Sequence, residues 1–139
     1  MKKTISISGG FDPLHIGHLR MIKEASKKGD LVVILNNDNW LNKKKGFVFM
    51  PEQDRKEIIK EIKGVKEVFL SKHPKDPEDM SVCYELLKLK PNIFANGGDR
   101  KAGNIPEYNL CGEQGIEMIF NIGGEKLRSS SELVKKQKF

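Results

Sequence analysis

"GGFDPLHIGH", residues 9–18, decides the reading of this chain. It leaves the apolar-alternating run "KTISIS" through Gly9 and Gly10 and enters the helical pattern "LRMIKEASKKG". Paired glycines after a strand let the backbone turn sharply and bring a ligand near main-chain N–H groups. A helix opening near Gly17 aims its unpaired N–H groups and positive dipole end at the same spot, which suits phosphate. His15 and His18, three apart, are neighbours on the first helical turn. Imidazole donates hydrogen bonds to phosphate oxygens and carries charge near neutral pH. The dinucleotide fingerprint GxGxxG is absent, so a nicotinamide or flavin dehydrogenase is a poor fit. Zinc at the two histidines would need further ligands at suitable spacing, and none is evident, so no metal site is expected in the protein itself.

Strand-like runs recur at 2–7, 31–36, 65–71, 92–96 and 116–122. Between them lie helical patterns: 17–28, with Leu19, Ile22 and Ala25 on one face, and a second from Pro51, with Ile58, Ile59 and Ile62 on one stripe. A third spans 77–89 with Val82, Leu86 and Leu89, a short one covers 106–114, and a last begins at Ser129 or Ser130. Short strands alternating with helices of this length imply βαβ units and a parallel sheet. The expectation is an α/β, Rossmann-like, doubly wound sheet of five parallel strands with helices on both faces, in one domain over 1–139. In such sheets ligands sit beyond the carboxyl ends of the strands, so the segments after each strand are where function is sought.

Composition narrows the class. Hydrophobic residues make up 37% and charged residues 32%, which reads as a globular protein rather than a disordered one. No apolar run approaches a membrane span and the N-terminus has too short an apolar core for a signal peptide, so a cytoplasmic location is expected. Cys83 and Cys111 form no CxxC pair and read as thiols. The net charge of +6 suggests an anionic partner. Most of the lysine is scattered, but "NKKKG" at 42–46 is dense and follows an apolar strand; it is read as a loop, either solvated or phosphate-binding. His73 has no such context and is read as an exposed loop histidine.

"GGFDPLHIGH" resembles the nucleotide-binding motif of the nucleotidyltransferase superfamily that includes glycerol-3-phosphate cytidylyltransferase, heptose-phosphate adenylyltransferases and the coenzyme-precursor adenylyltransferases. Gly9, Gly10, Phe11 and Asp12 match its glycine-led turn; His15, Gly17 and His18 match its His-x-Gly-His helix opening. The resemblance extends over almost the whole chain. In "NNDNWLNKKKG", Asp38 matches an aspartate that precedes phosphate-binding lysines, with Lys44 or Lys45 the matching lysine. In "MPEQDRKEII", Arg55 matches a helix arginine and is expected to bind substrate. "NIFANGGDR" resembles the fourth-strand motif, which puts Gly98, Asp99 and Arg100 against the nucleotide. "LRSSSEL" resembles a hydroxyl-rich helix start in which Ser129, Ser130 and Ser131 would hold phosphate. Arg128 stands where the family usually has an apolar residue and adds a cation there. "HIGH" is also the signature of class I aminoacyl-tRNA synthetases, but no Lys-Met-Ser-Lys-Ser sequence is present and the length leaves no room for tRNA-binding modules.

The resemblance implies transfer of a nucleoside monophosphate from a nucleoside triphosphate to a small phosphorylated acceptor, releasing pyrophosphate. His15, His18, Lys44 and Lys45 would be the catalytic residues, and magnesium would lie across the triphosphate, held mostly by phosphate oxygens and water. The short chain is similar in size to glycerol-3-phosphate cytidylyltransferase, which favours CTP and a phosphorylated alcohol. "GGDR" followed by Pro106 and Glu107 is closer to heptose-phosphate adenylyltransferases, and Pro13 to the coenzyme-precursor enzymes; ATP with a sugar phosphate or coenzyme precursor is the alternative. A homodimer is compatible with this reading. A basic, non-catalytic nucleotide- or nucleic-acid-binding module is a third reading. Against nucleic acid stand the 7% aromatic content and the lack of an RNA-stacking motif.

Overall fold

The structure, a computed structural model, describes residues 3–97 and 105–124. The elements run β1 (Thr4–Gly9), α1 (Ile16–Ser26), β2 (Asp30–Leu35), α2 (Asp38–Lys45), α3 (Glu52–Lys60), β3 (Val65–Leu70), α4 (Cys83–Leu89), β4 (Ile93–Ala95), α5 (Glu107–Gln114) and β5 (Glu117–Ile119). Five strands form one sheet in the order β3-β2-β1-β4-β5, and every pairing is parallel. The α/β doubly wound expectation holds.

Strand composition explains the two-sided burial. Leu31, Val33 and Leu35 of β2 join Ile5 and Ile7 of β1 in one core, covered by Ile22 and Ala25 of α1 and Ile59 of α3. Ile34 and Phe94 face the other way, into a second core with Val82, Leu86 and Cys111 from the α4–α5 side. A strand buried on both faces reads as a continuous apolar run, as "LVVIL" does. Each fully buried leucine or isoleucine contributes about 1.5–3 kcal/mol.

The chain winds from β1 outward through β2 to β3, then crosses back to place β4 on the other side of β1. The switch point therefore lies between β1 and β4, and the turn after β1 opens at the carboxyl end of that crevice.

Local structure departs from the sequence reading in several places, among them Ile58, expected on one stripe with Ile59 and Ile62 but 46% exposed. Residues 38–45 form α2 instead of a loop: Asn37 caps it by accepting from Trp40 N, and Gly46 ends it in the left-handed region at φ 85°. The helix expected over 77–89 begins only at Cys83. Ahead of it, Ser81 N donates to Asp79 Oδ1 and Val82 N to Glu107 Oε2, so side chains take N–H groups that a longer helix would use. Leu19, expected on the core face of α1, is 44% exposed, whereas Ile22 and Ala25 are fully buried. The outer strands are shorter than predicted, at 93–95 and 117–119. The helix expected from Ser129 or Ser130 lies outside the described residues. Among the described residues no helix is long and apolar enough to cross a membrane.

Candidate active site

The turn after β1 is shaped by what its glycines leave out. A Cβ on Gly10 would lie 2.9 Å from Leu41 Cδ2 and 3.1 Å from Trp40 Cζ3, so its absence lets α2 settle directly on the turn. A Cβ on Gly9 would press on the Phe11 ring at 3.2 Å. Phe11 adopts φ 51° and drives its ring into the core beside Ile7 and Ile22, which holds this residue in a left-handed conformation that suits few side chains. What comes close to the glycines within the protein is thus its own side chains. The Asp12–Pro13 peptide that follows is cis.

His15 and His18 cap α1 reciprocally. His15 is the N-cap, and its Nδ1 accepts from Gly17 N at 3.1 Å, while His15 N donates to His18 Nδ1 at 3.2 Å. The rings stack with centroids 3.8 Å apart and an interplanar angle of 25°, and the Phe11 ring meets His18 edge-on at 4.8 Å. A Cβ on Gly17 would lie 2.9 Å from His15 Cε1; glycine is needed there for the imidazole to fold back over the helix end. Because both Nδ1 atoms accept from the backbone, the neutral rings carry their proton on Nε2 and act as donors there. The motif is thus a capping box that also orients two N–H donors at a helix amino terminus.

The lysine run separates into three fates. Lys43 pairs with Asp76 on the surface at 2.8 Å, and Lys44 is exposed. Lys45 reaches the turn, where its Nζ donates to Asp12 O at 3.0 Å. Burial lowers its pKa; Asp12 opposes that shift, and Arg55 and Lys44 add to it. All three also sit in the last turn of α2, where cations complement the helix dipole.

The Asp12 and Arg55 side chains are both tied into the chain itself. The Asp12 carboxylate is buried and accepts from Phe49 N (Oδ2, 2.7 Å) and Met50 N (Oδ1, 2.6 Å). The 46–50 loop has no ladder to satisfy its N–H groups, and this carboxylate supplies the partner. Arg55 is fully buried. Its Nε donates to Met50 O, Nη1 to Gly10 O and Asn36 O, and Nη2 to Asp38 Oδ1 at 2.6 Å. That uses four of a guanidinium's five N–H donors within the chain. Arg55 therefore positions the turn, and Asp38 is its ion-pair partner.

His73 is buried, contrary to the exposed-loop expectation. Its Nε2 lies 2.9 Å from Ser81 O, an acceptor only, so Nε2 carries the proton and Nδ1 accepts from Ser71 Oγ at 2.7 Å. Asn37 Nδ2 donates to Ser71 O and His73 O, Asn39 Nδ2 donates to His73 O, and Trp40 Nε1 donates to Met80 O. The sequence reading missed this network, although Asn37 three residues before Trp40 was an available capping signal.

On the far side of the crevice, Asn96 follows β4, its Nδ2 donating to Ile119 O and its backbone O accepting from Ile122 N. Gly123 then approaches the Met21 backbone of α1 so closely that a Cβ would lie 3.1 Å from Met21 Cα. Parallel pairing with β1 makes the chain leave β4 at the same end of the sheet as the Gly9–His18 turn. Gly98, Asp99, Arg100, Arg128, Ser129, Ser130 and Ser131 lie outside the described residues. A groove of about 530 Å³ lined by Tyr108, Gly112, Ile116, Met118 and Phe120 lies at the α5–β5 edge and includes none of the predicted site residues. Among the described residues no three His, Cys, Asp or Glu side chains cluster as a metal site.

Comparison with known proteins agrees with this geometry. The cytidylyltransferase-like family matches residues 7–135. An FAD synthase of Methanobrevibacter smithii is 32% identical over 99% of this chain and 92% of its own length. An FAD synthase of Ferroglobus placidus is 36% identical over 72% of this chain, which spans only 61% of that relative. The bifunctional protein HldE of Aliarcobacter butzleri is 30% identical over 81% of this chain and 23% of its own length. In structure, a lipopolysaccharide core biosynthesis protein from Thermoplasma volcanium superposes with a TM-score of 0.71 at 24% identity, covering 91% of this chain and all of the other, and so shares the fold. The chain belongs to the cytidylyltransferase-like family of nucleotidyltransferases.

Proposed function

We propose that the protein transfers adenylate from ATP to a small phosphorylated acceptor and releases pyrophosphate. The observation that carries this reading is the reciprocal histidine cap, with two Nε2–H donors at the amino end of α1 and Lys45 on the adjoining turn. The acceptor phosphate is already a nucleophile at neutral pH, so catalysis consists of positioning and charge stabilisation. The acceptor oxygen attacks the α-phosphorus and the bond to the bridging oxygen breaks, sending its electrons into pyrophosphate. His18 Nε2–H stabilises charge growing on the α-phosphate and bridging oxygen, His15 holds the phosphate chain, and Lys45 neutralises the β- and γ-phosphates. Magnesium enters with the triphosphate as part of the substrate, since the Asp12 carboxylate beside the turn is taken by the chain's own N–H groups. Asp99, Arg100, Arg128 and the 129–131 serines are assigned to the nucleotide by their match to the family motifs.

The choice of ATP replaces the CTP expectation. It is supported by the relatives' names: FAD contains adenylate, and HldE carries a heptose-phosphate adenylyltransferase domain. Pyrophosphate release measured with ATP and CTP against flavin mononucleotide, sugar phosphates and glycerol 3-phosphate tests it. ATP is expected to exceed CTP at least about tenfold in kcat/KM. Equal or better use of CTP would return the donor to cytidine, and no release with any pair would favour a non-catalytic binding module.

A further inference from the structure

Gly10 stands in the turn after β1, but the space a side chain there would fill is already taken from inside the chain. A Cβ on it would meet Leu41 Cδ2 at 2.9 Å and Trp40 Cζ3 at 3.1 Å. Neither neighbour gives way easily. Leu41 is fully buried and is the one buried residue of α2. Trp40 is fixed at both ends, its N donating to Asn37 Oδ1 at 3.0 Å and its Nε1 to Met80 O at 2.9 Å. A methyl group at position 10 therefore overpacks the contact and drives α2 and the turn apart.

The same face of α2 touches the turn a second time. One helical turn beyond Leu41, Lys45 Nζ donates to Asp12 O at 3.0 Å, two residues along from Gly10. Residues four apart on a helix share a face at a separation of about 6 Å. A rigid helix thus carries a displacement at the first contact through to the second. Burial lowers the Lys45 pKa, which fits an ammonium held in against the turn. Resting on the proposed adenylyl transfer, we infer that Gly10 is glycine in order to seat α2, and that this seat fixes where Lys45 presents its ammonium to the triphosphate. Leu41 and Trp40 are then positioning residues, acting on the phosphates through Lys45.

The test needs no acceptor. Trp40 is the only tryptophan in the chain, so its fluorescence reports the seat directly. Gly10→Ala should shift that emission to the red. It should also return the Lys45 titration, followed by NMR of the side-chain nitrogen, toward the ordinary lysine range. ATP affinity, measured by calorimetry, should fall about tenfold, the lower end for a charge-assisted contact. Lys45→Ala should lower it as much, and the two changes together little more than either alone. Leu41→Ala makes room for the methyl group. Gly10→Ala with Leu41→Ala should therefore recover the emission and the Lys45 titration, and bring ATP affinity back to within about threefold of wild type. The inference is overturned if Gly10→Ala leaves the emission unshifted, if its loss of ATP affinity adds in full to that of Lys45→Ala, or if Leu41→Ala brings no recovery. The last two results are those of a glycine needed for close approach of phosphate to the backbone. Emission, titration and recovery as expected, in a protein that releases no pyrophosphate, would reject adenylyl transfer and leave the seat in place.

Discussion

Three histidines stand at the carboxyl end of one sheet and are used in opposite ways. His73, after β3, is buried, with one ring nitrogen on Ser71 and the other on Ser81. Its neighbours Asn37, Asn39 and Trp40 bind back onto the same loop, so this region is a lock that ties α2 to β3. His15 and His18, after β1, are partly exposed and stacked on each other, and their Nδ1 atoms serve the cap. Residue type does not separate the two pairs of roles. What separates them is the partner of Nδ1: a serine hydroxyl for His73, and main-chain N–H groups at the start of α1 for His15 and His18.

The contrast can be broken most severely at Arg55, which joins the two regions through Gly10 O, Asn36 O and Asp38. Arg55→Ala orphans buried carbonyls and the Asp38 carboxylate, and should cost roughly 3–5 kcal/mol in urea unfolding. An unshifted midpoint would show that the link is not structural. Next comes His18→Ala. Turnover should fall on the order of a hundredfold or more, as on loss of a preorganised transition-state donor. Stability should fall by only about 1 kcal/mol, the worth of a helix cap. KM for ATP should rise less than kcat falls, because the contact strengthens as charge develops. Loss of stability with the rate per folded molecule intact would move His18 into the class of His73.

Lys45→Ala should lower kcat/KM for the triphosphate by roughly 1.5–3 kcal/mol, and Lys44→Ala by much less. Lys45 also sets a pH limit. Its pKa is lowered from 10.5, so its charge, present at neutral pH, is lost earlier as pH rises than an ordinary lysine's. The KM for ATP should therefore climb on an alkaline limb that begins below the usual lysine range and disappears in Lys45→Arg. The smallest effect sharpens the comparison from the other side. His73→Ala should lose roughly 1–2 kcal/mol of stability from its two bonds and leave turnover per folded molecule unchanged; a fall in turnover would mean the lock reaches the chemistry.

The sheet was legible because "LVVIL" and "IFA" are buried on both faces and announce themselves as continuous apolar runs. The turn was legible because glycines and histidines at fixed spacing have few other uses. The second helix was not, since Leu41 is its one buried residue and leaves no apolar stripe to count. Its caps, Asn37 and Gly46, were the readable signal. The environments of Arg55 and His73 depend on carbonyls 45 residues (Gly10) and 8 residues (Ser81) away in sequence, the first brought near by the winding of the sheet and the second by the path of the β3–α4 loop. Local pattern holds no trace of such partners, so a charged or titratable side chain reads the same whether it meets a ligand or the chain itself.

The Asp12 clamp has a consequence for redesign. It grips residues 49 and 50 by their main-chain N–H groups, so these two bonds do not depend on which side chains the loop carries. Any residue except proline at those two positions preserves both bonds. The loop is in effect a replaceable fitting on a fixed mount: its sequence can change while the turn beneath keeps its two anchors.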